Sequence, residues 1–211
     1  MKRLSLLFIG VLALMAGQVA SAQVSNLDSR LSAGGGFASF SLSGSDASKM
    51  DLPSIPGFFF GASIDYAFSS IEGLTVEPGA YIFHYGKTFK WTKGLADGEK
   101  TYHANYLSVP IHLKYSFPSS SGFGVAAFTG PRFNIGGVGN MFSTGKTYPG
   151  LKPIEAQWGV GLAATIQDAV ILKVAYDTGL TKCIQDNKDL NYSDIIAHRN
   201  TISVGVNFVF Q

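Results

Sequence analysis

Seven ionisable side chains fall on one face of segments that have the two-residue period of β-strands. Three are acids, three are bases and one is a histidine: Asp65, Glu77 and Asp177; Lys114, Arg132 and Lys173; and His112. If this face lines a narrow interior, the charges have to pair, because a buried unpaired charge is costly. They would then form either a closed salt-bridge plug or a gated path for protons or small ions. The sequence leaves both interpretations open.

Groups that could support catalysis or bind a metal are scattered along the chain. A lipid-modifying hydrolase needs a serine, a histidine and an acid that converge on one site. His84, His103 and His198 are predicted near one rim of the fold, but no spacing singles out a nucleophile. Four histidines and one cysteine show no metal-ligand spacing. We therefore predict no catalytic residue, no cofactor and no metal.

Two segments between predicted strands are candidate contact surfaces. The run from Phe89 to Lys93 mixes cations with aromatic rings, and Lys90, Trp91 and Lys93 could contact lipopolysaccharide phosphates or sugars. The segment 181–198 carries three aspartates and could form an epitope or a weak cation site. Polar exposed loops need no such role, although functional residues do concentrate on loops.

Eight segments must position these residues, and each has strand periodicity. Their predicted spans are 31–42, 57–68, 73–86, 102–117, 121–136, 155–166, 169–180 and 199–210. In the fourth, an apolar row from Leu107 to Phe117 alternates with a row that contains His112 and Lys114. Apolar and polar faces over about 9 to 11 residues are typical of strands that cross a membrane.

The connections between these strands alternate in length. Short turns follow the second, fourth and sixth strands, whereas 43–56, 87–101, 137–154 and 181–198 are predicted to be long loops. Aromatic residues also gather at both predicted strand ends. Short periplasmic turns, long outer loops and two aromatic bands are expected of an outer-membrane barrel.

The two ends of the chain indicate a route to that membrane. Lys2 and Arg3 precede an apolar run, and Ala20-Ser21-Ala22 offers a cleavage site, so residues 1–22 are predicted to be a signal peptide. The barrel domain is then 23–211. The last strand has a polar-x-Gly-x-x-apolar-x-aromatic pattern, formed by Ser203, Gly205, Phe208 and Phe210. This pattern resembles the C-terminal β-signal by which the barrel-assembly machinery recognises its substrates.

Composition agrees with a membrane barrel and excludes other classes. Without Lys2 and Arg3, 14 basic residues balance 14 acidic ones, so nothing favours nucleic acid as a partner. Charged residues are only 14% of the chain and aromatics 13%, as expected when much of the surface meets lipid. The single cysteine, Cys183, is either a free thiol in a loop or an intermolecular link.

One strand motif resembles a known family. Tyr106-Leu107-Ser108-Val109-Pro110-Ile111-His112-Leu113-Lys114-Tyr115 is similar to the Tyr-Leu-x-x-Pro-x-x-x-Lys-Tyr strand of the PorT-like outer-membrane barrels of Bacteroidetes, and Gly130-Pro131-Arg132-Phe133 adds to the match. The overall plan also resembles the small OmpA/OmpX-type barrels. Because the chain ends at the last strand, no periplasmic domain is expected. The resemblance implies a location more than an activity.

These observations predict an all-β fold, a monomeric eight-stranded antiparallel up-and-down barrel that spans the outer membrane of a Gram-negative bacterium. The expected function is that of a non-enzymatic, surface-exposed structural or interaction protein that contacts lipid and lipopolysaccharide and has a plugged lumen. The alternatives are a narrow pore for small solutes or ions, and a lipid A-modifying enzyme. A soluble lipocalin-like carrier is the competing fold.

Overall fold

The computed structural model describes residues 27–43, 54–93, 96–118, 122–136, 146–147, 152, 154–183 and 196–210. These residues form nine strands: β1 (Leu27–Ser43), β2 (Ile55–Ala67), β3 (Leu74–Lys93), β4 (Ala96–Ser116), β5 (Phe123–Gly136), β6 (Lys146–Thr147), β7 (Ile154–Ile166), β8 (Val170–Gly179) and β9 (Ile196–Phe210). No helix in the described part of the chain is long and apolar enough to cross a membrane.

Eight of these strands close into an antiparallel barrel. Each strand pairs with its neighbour in the chain, and β9 returns to pair with β1. The closing pairs run from Ser29↔Phe210 to Ser43↔Ile196. The two-residue β6 lies outside this circuit and pairs in parallel with β4. Because the barrel is closed, each of its strands is hydrogen-bonded to a neighbour on both sides over the length that the two strands share. Strands that cross lipid need this pairing, since no water is present there to satisfy their backbone groups. The predicted fold class is confirmed.

Along the barrel strands, the side chains that the structure describes alternate between the lumen and the outer surface. On β9, Ile202, Val204 and Phe208 are each more than half exposed, whereas Thr201 and Ser203 are buried. An apolar outer surface over a buried polar interior is the reverse of a soluble carrier, whose apolar row faces inward. The burial pattern therefore excludes the lipocalin-like alternative.

Exposed aromatic residues form a band at each end of the barrel. The band at one end contains Tyr66, Phe68, Tyr115, Phe117, Phe123 and Phe208; the other contains Phe58, Phe133, Trp158 and Tyr176. The Trp158 indole donates its N–H to Thr129 Oγ1 at 2.9 Å, and that hydroxyl donates to the Gly159 carbonyl. An apolar ring with a satisfied polar tip suits a membrane–water interface.

Both described termini and the three short turns lie at one end, which we call the short-turn end; the opposite end is the long-loop end. The short connections are those from β2 to β3, from β4 to β5 and from β7 to β8. At the long-loop end the structure corrects one prediction. The segment 87–101 is not a long loop, because β3 and β4 continue as paired strands to Lys93 and Ala96. Apolar alternation stops there because no lipid selects for it, and the sequence pattern therefore missed the strands.

Candidate functional site

Five charged side chains form a network inside the barrel toward the short-turn end, which we call the inner network: Arg30, Asp65, Glu77, Lys114 and Lys173. Arg30 contacts Asp65 at 2.6 Å and Glu77 at 3.4 Å. Lys114 donates to Asp65 and lies 3.5 Å from Glu77. Lys173 reaches from β8 across the lumen to donate to Glu77 on β3. Glu77 therefore connects three cations from three different strands.

A cavity of about 330 Å³ adjoins the inner network and reaches the rim at the short-turn end. Charged and hydroxyl side chains from β1 to β4 line one wall, and Ala126, Ala163 and Ile171 line the other. The lumen at this end is therefore a polar vestibule.

Above the vestibule, four rings and an imidazole form what we call the aromatic layer: Phe59, Tyr81, Phe83, Phe128 and His112. Phe59 stacks on Phe83 with 4.7 Å between ring centroids and meets Tyr81 edge-on at 5.9 Å. His112 and Phe128 lie 4.8 Å apart. Only about 40 Å³ of empty space remains among these side chains, which is room for very few water molecules.

Glycines on the neighbouring strands make room for the rings. A Cβ atom at Gly34 or Gly205 would lie 2.6 or 2.7 Å from the Phe59 ring, and one at Gly161 would overlap Phe128. Such separations are far below van der Waals contact. The position of Phe59 thus depends on the absence of side chains at Gly34 and Gly205.

A second set of polar contacts lies toward the long-loop end, and we call it the outer network: Arg132, Asp177, Glu155, Arg199 and Tyr106. Arg132 pairs with Asp177 at 2.7 Å, and Arg199 pairs with Glu155 at 3.1 Å. The Tyr106 hydroxyl donates to Glu155 at 3.1 Å, and the Arg199 guanidinium lies 4.0 Å from the Tyr106 ring centroid.

The aromatic layer separates the two networks but contacts both. Lys173 of the inner network lies 4.6 Å from the Phe128 ring centroid, and Arg132 of the outer network lies 5.2 Å from that of Phe83. Cations at this distance are attracted to ring faces. The three layers therefore form one continuous packing of charge, ring and charge that fills the middle of the lumen.

This architecture matches a known family of proteins. Residues 9–210 match the family model described as "Outer membrane protein beta-barrel domain". The chain belongs to this family. Its strands therefore cross the outer membrane, and in such barrels the short turns face the periplasm while the long connections face outside.

Solved outer-membrane barrels are similar in fold to this family member. Neisserial surface protein A (NspA) is 16% identical, with 88% of this chain and 98% of that one covered and a TM-score of 0.48. Ail, the attachment invasion locus protein of Yersinia pestis, solved in complex with the heparin analogue sucrose octasulfate, is 13% identical. The match covers 88% of this chain and 99% of that one, with a TM-score of 0.47. The outer membrane enzyme PagL is 11% identical, with 83% of this chain and 97% of that one covered and a TM-score of 0.44. No curated protein matches the sequence.

The structure brings all seven ionisable residues of the sequence prediction into the lumen of this outer-membrane barrel. Asp65, Glu77, Lys114 and Lys173 join the inner network, and Arg132 and Asp177 join the outer network. His112 lies between them in the aromatic layer, and neither of its ring nitrogens has a hydrogen-bond partner.

Sequence reasoning missed three charged residues of the lumen: Arg30, Glu155 and Arg199. Arg30 lies one residue before the predicted first strand, and the other two are first residues of predicted strands. The alternation of faces along a strand could have identified them. Arg199, for example, is two residues before Thr201 and four before Ser203, and all three are buried in the lumen. With them, five cations and four carboxylates are described in the lumen, so its net charge is 5 − 4 = +1.

The histidines at the long-loop end do not all face the lumen. His84 and Asn105 form a hydrogen bond of 2.6 Å between Nδ1 and Oδ1, and the His84 and His103 rings stack at 6.2 Å. His84 alternates with Phe83 and Tyr85 and therefore lies on the membrane-facing side. The described residues include no group of three or more histidine, cysteine, aspartate and glutamate side chains that could hold a metal ion.

Cys183 lies just beyond the end of β8, and its backbone is hydrogen-bonded to two other segments of the chain. Its backbone N–H donates to the Ala197 carbonyl at 2.8 Å, and its own carbonyl accepts from the Lys152 N–H at 2.8 Å. The thiol is free and fully buried. Burial, together with the nearby Glu155 carboxylate, raises the pKa of the Cys183 thiol to about 12. Of the two interpretations of this cysteine, the free thiol fits the structure.

The remaining sequence candidates lie on strands. Ser203 and Gly205 are buried on β9, Phe208 is exposed on the outer surface, and Phe210 pairs with Ser29. Lys90, Trp91 and Lys93 lie on β3 in its paired extension with β4. The segment with Asp186, Asp189 and Asp194 lies outside the described residues, as does the predicted signal peptide.

Proposed function

We propose that this protein is a non-enzymatic surface protein whose barrel is a closed anchor and whose interactions take place beyond the outer rim. The observation that carries the proposal is the aromatic layer, where about 40 Å³ of free space lies between two paired charge networks. The interior of an eight-stranded barrel is just wide enough for side chains to fill it. Here rings and salt bridges occupy that room, which leaves the surface as the place for function.

The proposal includes the immediate surroundings of the barrel. Its apolar outer surface contacts outer-membrane lipid and lipopolysaccharide, and its C-terminal strand, with Ser203, Gly205, Phe208 and Phe210, is the segment offered to the assembly machinery. We further propose export by a cleaved signal peptide over residues 1–22 and a monomeric barrel.

Within the outer-membrane barrels, we propose a PorT-like member from Bacteroidetes. The support is that the motif residues have structural roles in the lumen. Tyr106 donates to Glu155, Lys114 belongs to the inner network, and Arg132 pairs with Asp177. A Tyr-Leu-x-x-Pro-x-x-x-Lys-Tyr strand thus supplies one residue to each charge network.

Single-channel recording tests the proposal directly. The mature chain is refolded into planar bilayers, and a Lys114→Ala variant is recorded beside it. A fully inserted but silent wild-type barrel is the expected result. Steady conductance that changes with Lys114→Ala would instead favour the second candidate, a narrow pore, for which the vestibule of about 330 Å³ is the supporting observation.

The enzymatic alternative needs a separate measurement. Lipid A is extracted from cells with and without the protein, and its mass is determined. We expect identical masses. A mass difference that corresponds to a lost or added acyl chain would overturn the non-enzymatic proposal.

A further inference from the structure

The free space of about 40 Å³ in the aromatic layer, which we call the ring cavity, has polar side chains as well as rings in its wall. These polar residues come from β4, β5, β8 and β9: His112, Arg132, Lys173, Ser203 and Asn207. No aspartate or glutamate is among the described residues that line the cavity. Its polar wall therefore consists mainly of groups that donate hydrogen bonds.

Two side chains in this wall have polar atoms that no other described residue satisfies. Asn207 and His112 are only 2% and 3% exposed. Neither Nδ2 of Asn207 nor either ring nitrogen of His112 has a hydrogen-bond partner in the described part of the chain. A buried donor without a partner is costly, because it has lost its bonds to water and gained none in return. One acceptor inside the cavity would satisfy the Asn207 amide and the N–H of a neutral His112.

The charge balance of the lumen calls for an acceptor that is negative. The outer network is neutral, with two cations and two carboxylates, whereas the inner network has three cations and two carboxylates, for a charge of 3 − 2 = +1. Lys173 belongs to the inner network and also lines the ring cavity, but the carboxylates of that network, Asp65 and Glu77, do not line it. The excess positive charge therefore reaches the cavity wall.

From these donors and this charge we infer that the ring cavity is a binding site for one small monovalent anion of the halide class, such as chloride. The ion accepts hydrogen bonds from the Asn207 amide and the His112 imidazole, and the nearby charges of Lys173 and Arg132 attract it. A water molecule needs about 10–15 Å³ of such space, so the cavity takes a monatomic ion but not a phosphate ester or a sugar. The site does not depend on the proposed function, because an anchor and a pore can each hold an ion.

Other occupants and another location fit less well. Water would satisfy the donors of the wall, but it carries no charge and brings two O–H donors of its own. A metal cation prefers oxygen ligands, and here it would face Lys173 and Arg132 with no described carboxylate beside it. The vestibule is also positive, but Asp65 and Glu77 line it and already pair with its cations. The ring cavity is therefore the better place for an anion.

Bromide is the probe that locates the site. The refolded wild-type protein is crystallised in sodium bromide, and diffraction is measured at the bromine absorption edge. We expect an anomalous difference peak in the ring cavity, in hydrogen-bond contact with Nδ2 of Asn207 and one ring nitrogen of His112. Peaks at the protein surface or in the vestibule, with none in the ring cavity, would show an adventitious ion only and would overturn the inference.

Two asparagine variants test the same site by stability. Asn207→Ala and Asn134→Ala each remove a lumen amide that is 2% exposed, but Asn134 donates to Gln157 at 2.8 Å and does not line the ring cavity. Each protein is refolded into phosphatidylcholine vesicles and unfolded in urea at constant ionic strength, while bromide replaces gluconate stepwise.

An ion that binds only the folded state lowers the unfolding constant by the factor 1 + [L]/Kd. We expect saturating bromide to lower it at least about tenfold in the wild type and in Asn134→Ala, but less than about twofold in Asn207→Ala. Each variant is compared with itself in gluconate, so a general loss of stability does not mimic this result. Equal bromide responses of the two variants, or no response of the wild type, would overturn the inference. The wild-type diffraction measurement decides the site even if Asn207→Ala does not fold.

Discussion

Glu77 is the residue on which the inner network depends most. It is nearly inaccessible to solvent and faces three cations, Arg30, Lys114 and Lys173. Without Glu77, Asp65 would be the one carboxylate of the inner network left to balance three positive charges. Breaking a buried ion pair by removing one partner typically costs more than the intact pair contributes, because the other charge is left unpaired.

Glu77→Gln should therefore destabilise the barrel by about 3–5 kcal/mol. The measurement is urea unfolding of the refolded protein in lipid vesicles, followed by tryptophan fluorescence. Glu72→Gln in the exposed β2–β3 turn is the matched control, and we expect it to change stability by less than about 0.5 kcal/mol. Equal unfolding midpoints for the two variants would contradict the central role of Glu77.

Cys183 should be chemically inert in the folded barrel. A pKa of about 12 leaves little thiolate at pH 8, and the side chain is fully buried. Because the thiolate is the nucleophile, maleimide should label the folded protein at least about a hundredfold more slowly than the urea-unfolded protein. Its labelling rate should rise with pH as the thiol ionises. Mass spectrometry follows the labelling. A folded protein that is labelled within minutes at pH 8 would contradict the burial of Cys183.

At the scale of elements, the β7–β8 turn carries identifiable backbone strain. Gln167 and Asp168 have φ angles of 50° and 55°, the left-handed pair that suits a two-residue hairpin turn. Glycine adopts such angles without steric cost; aspartate is one of the few other residues that adopt them regularly, and glutamine is not. The turn geometry is thus favourable, but both Cβ atoms carry a steric cost that glycine would not have.

Asp168→Gly should raise the free energy of unfolding by about 0.5–1 kcal/mol, because it relieves this strain. Asp168→Ala is the control, since alanine keeps the Cβ atom and should give no gain of this kind. Urea unfolding in vesicles measures both. A stabilised Asp168→Ala variant would show that loss of the carboxylate, and not relief of strain, is the cause.

Phe59 and the glycine opposite it should behave as a complementary pair. Gly205→Ala places a methyl group against the Phe59 ring and should cost about 1–3 kcal/mol of stability. Adding Phe59→Ala removes the ring that the methyl group meets, so the double variant should lose less than the two single losses combined. A double-mutant cycle in urea unfolding measures this coupling. Strictly additive losses would show that the ring and Gly205 do not constrain each other.

At the scale of the whole molecule, the aromatic layer is the barrier of the lumen. Phe83→Ala with Phe128→Ala removes one ring from each side of the free space of about 40 Å³, next to the vestibule. We expect small but resolvable single-channel steps from this variant in planar bilayers, where the wild type is silent. Phe117→Ala with Phe123→Ala, two exposed rings of the periplasmic band, is the control and should stay silent. A silent double lumen variant would place the barrier in the charge networks instead.

Much of the architecture could be predicted from the sequence. The period of two identified all eight barrel strands within a few residues over most of their length, because lipid and lumen select opposite side-chain types at alternate positions. That selection stops where the membrane stops. Strand boundaries beyond the outer rim, such as the extension of β3 to Lys93, were consequently predicted as a loop.

The sequence by itself determined the fold class, the short-turn end and the inward face of most ionisable residues, because these depend on local periodicity. Only the tertiary structure decided the partners. Lys173 and Glu77 lie 96 residues apart in the chain and meet because the barrel closes. Pairing across strands is a long-range property, and the order of residues along one strand does not contain it.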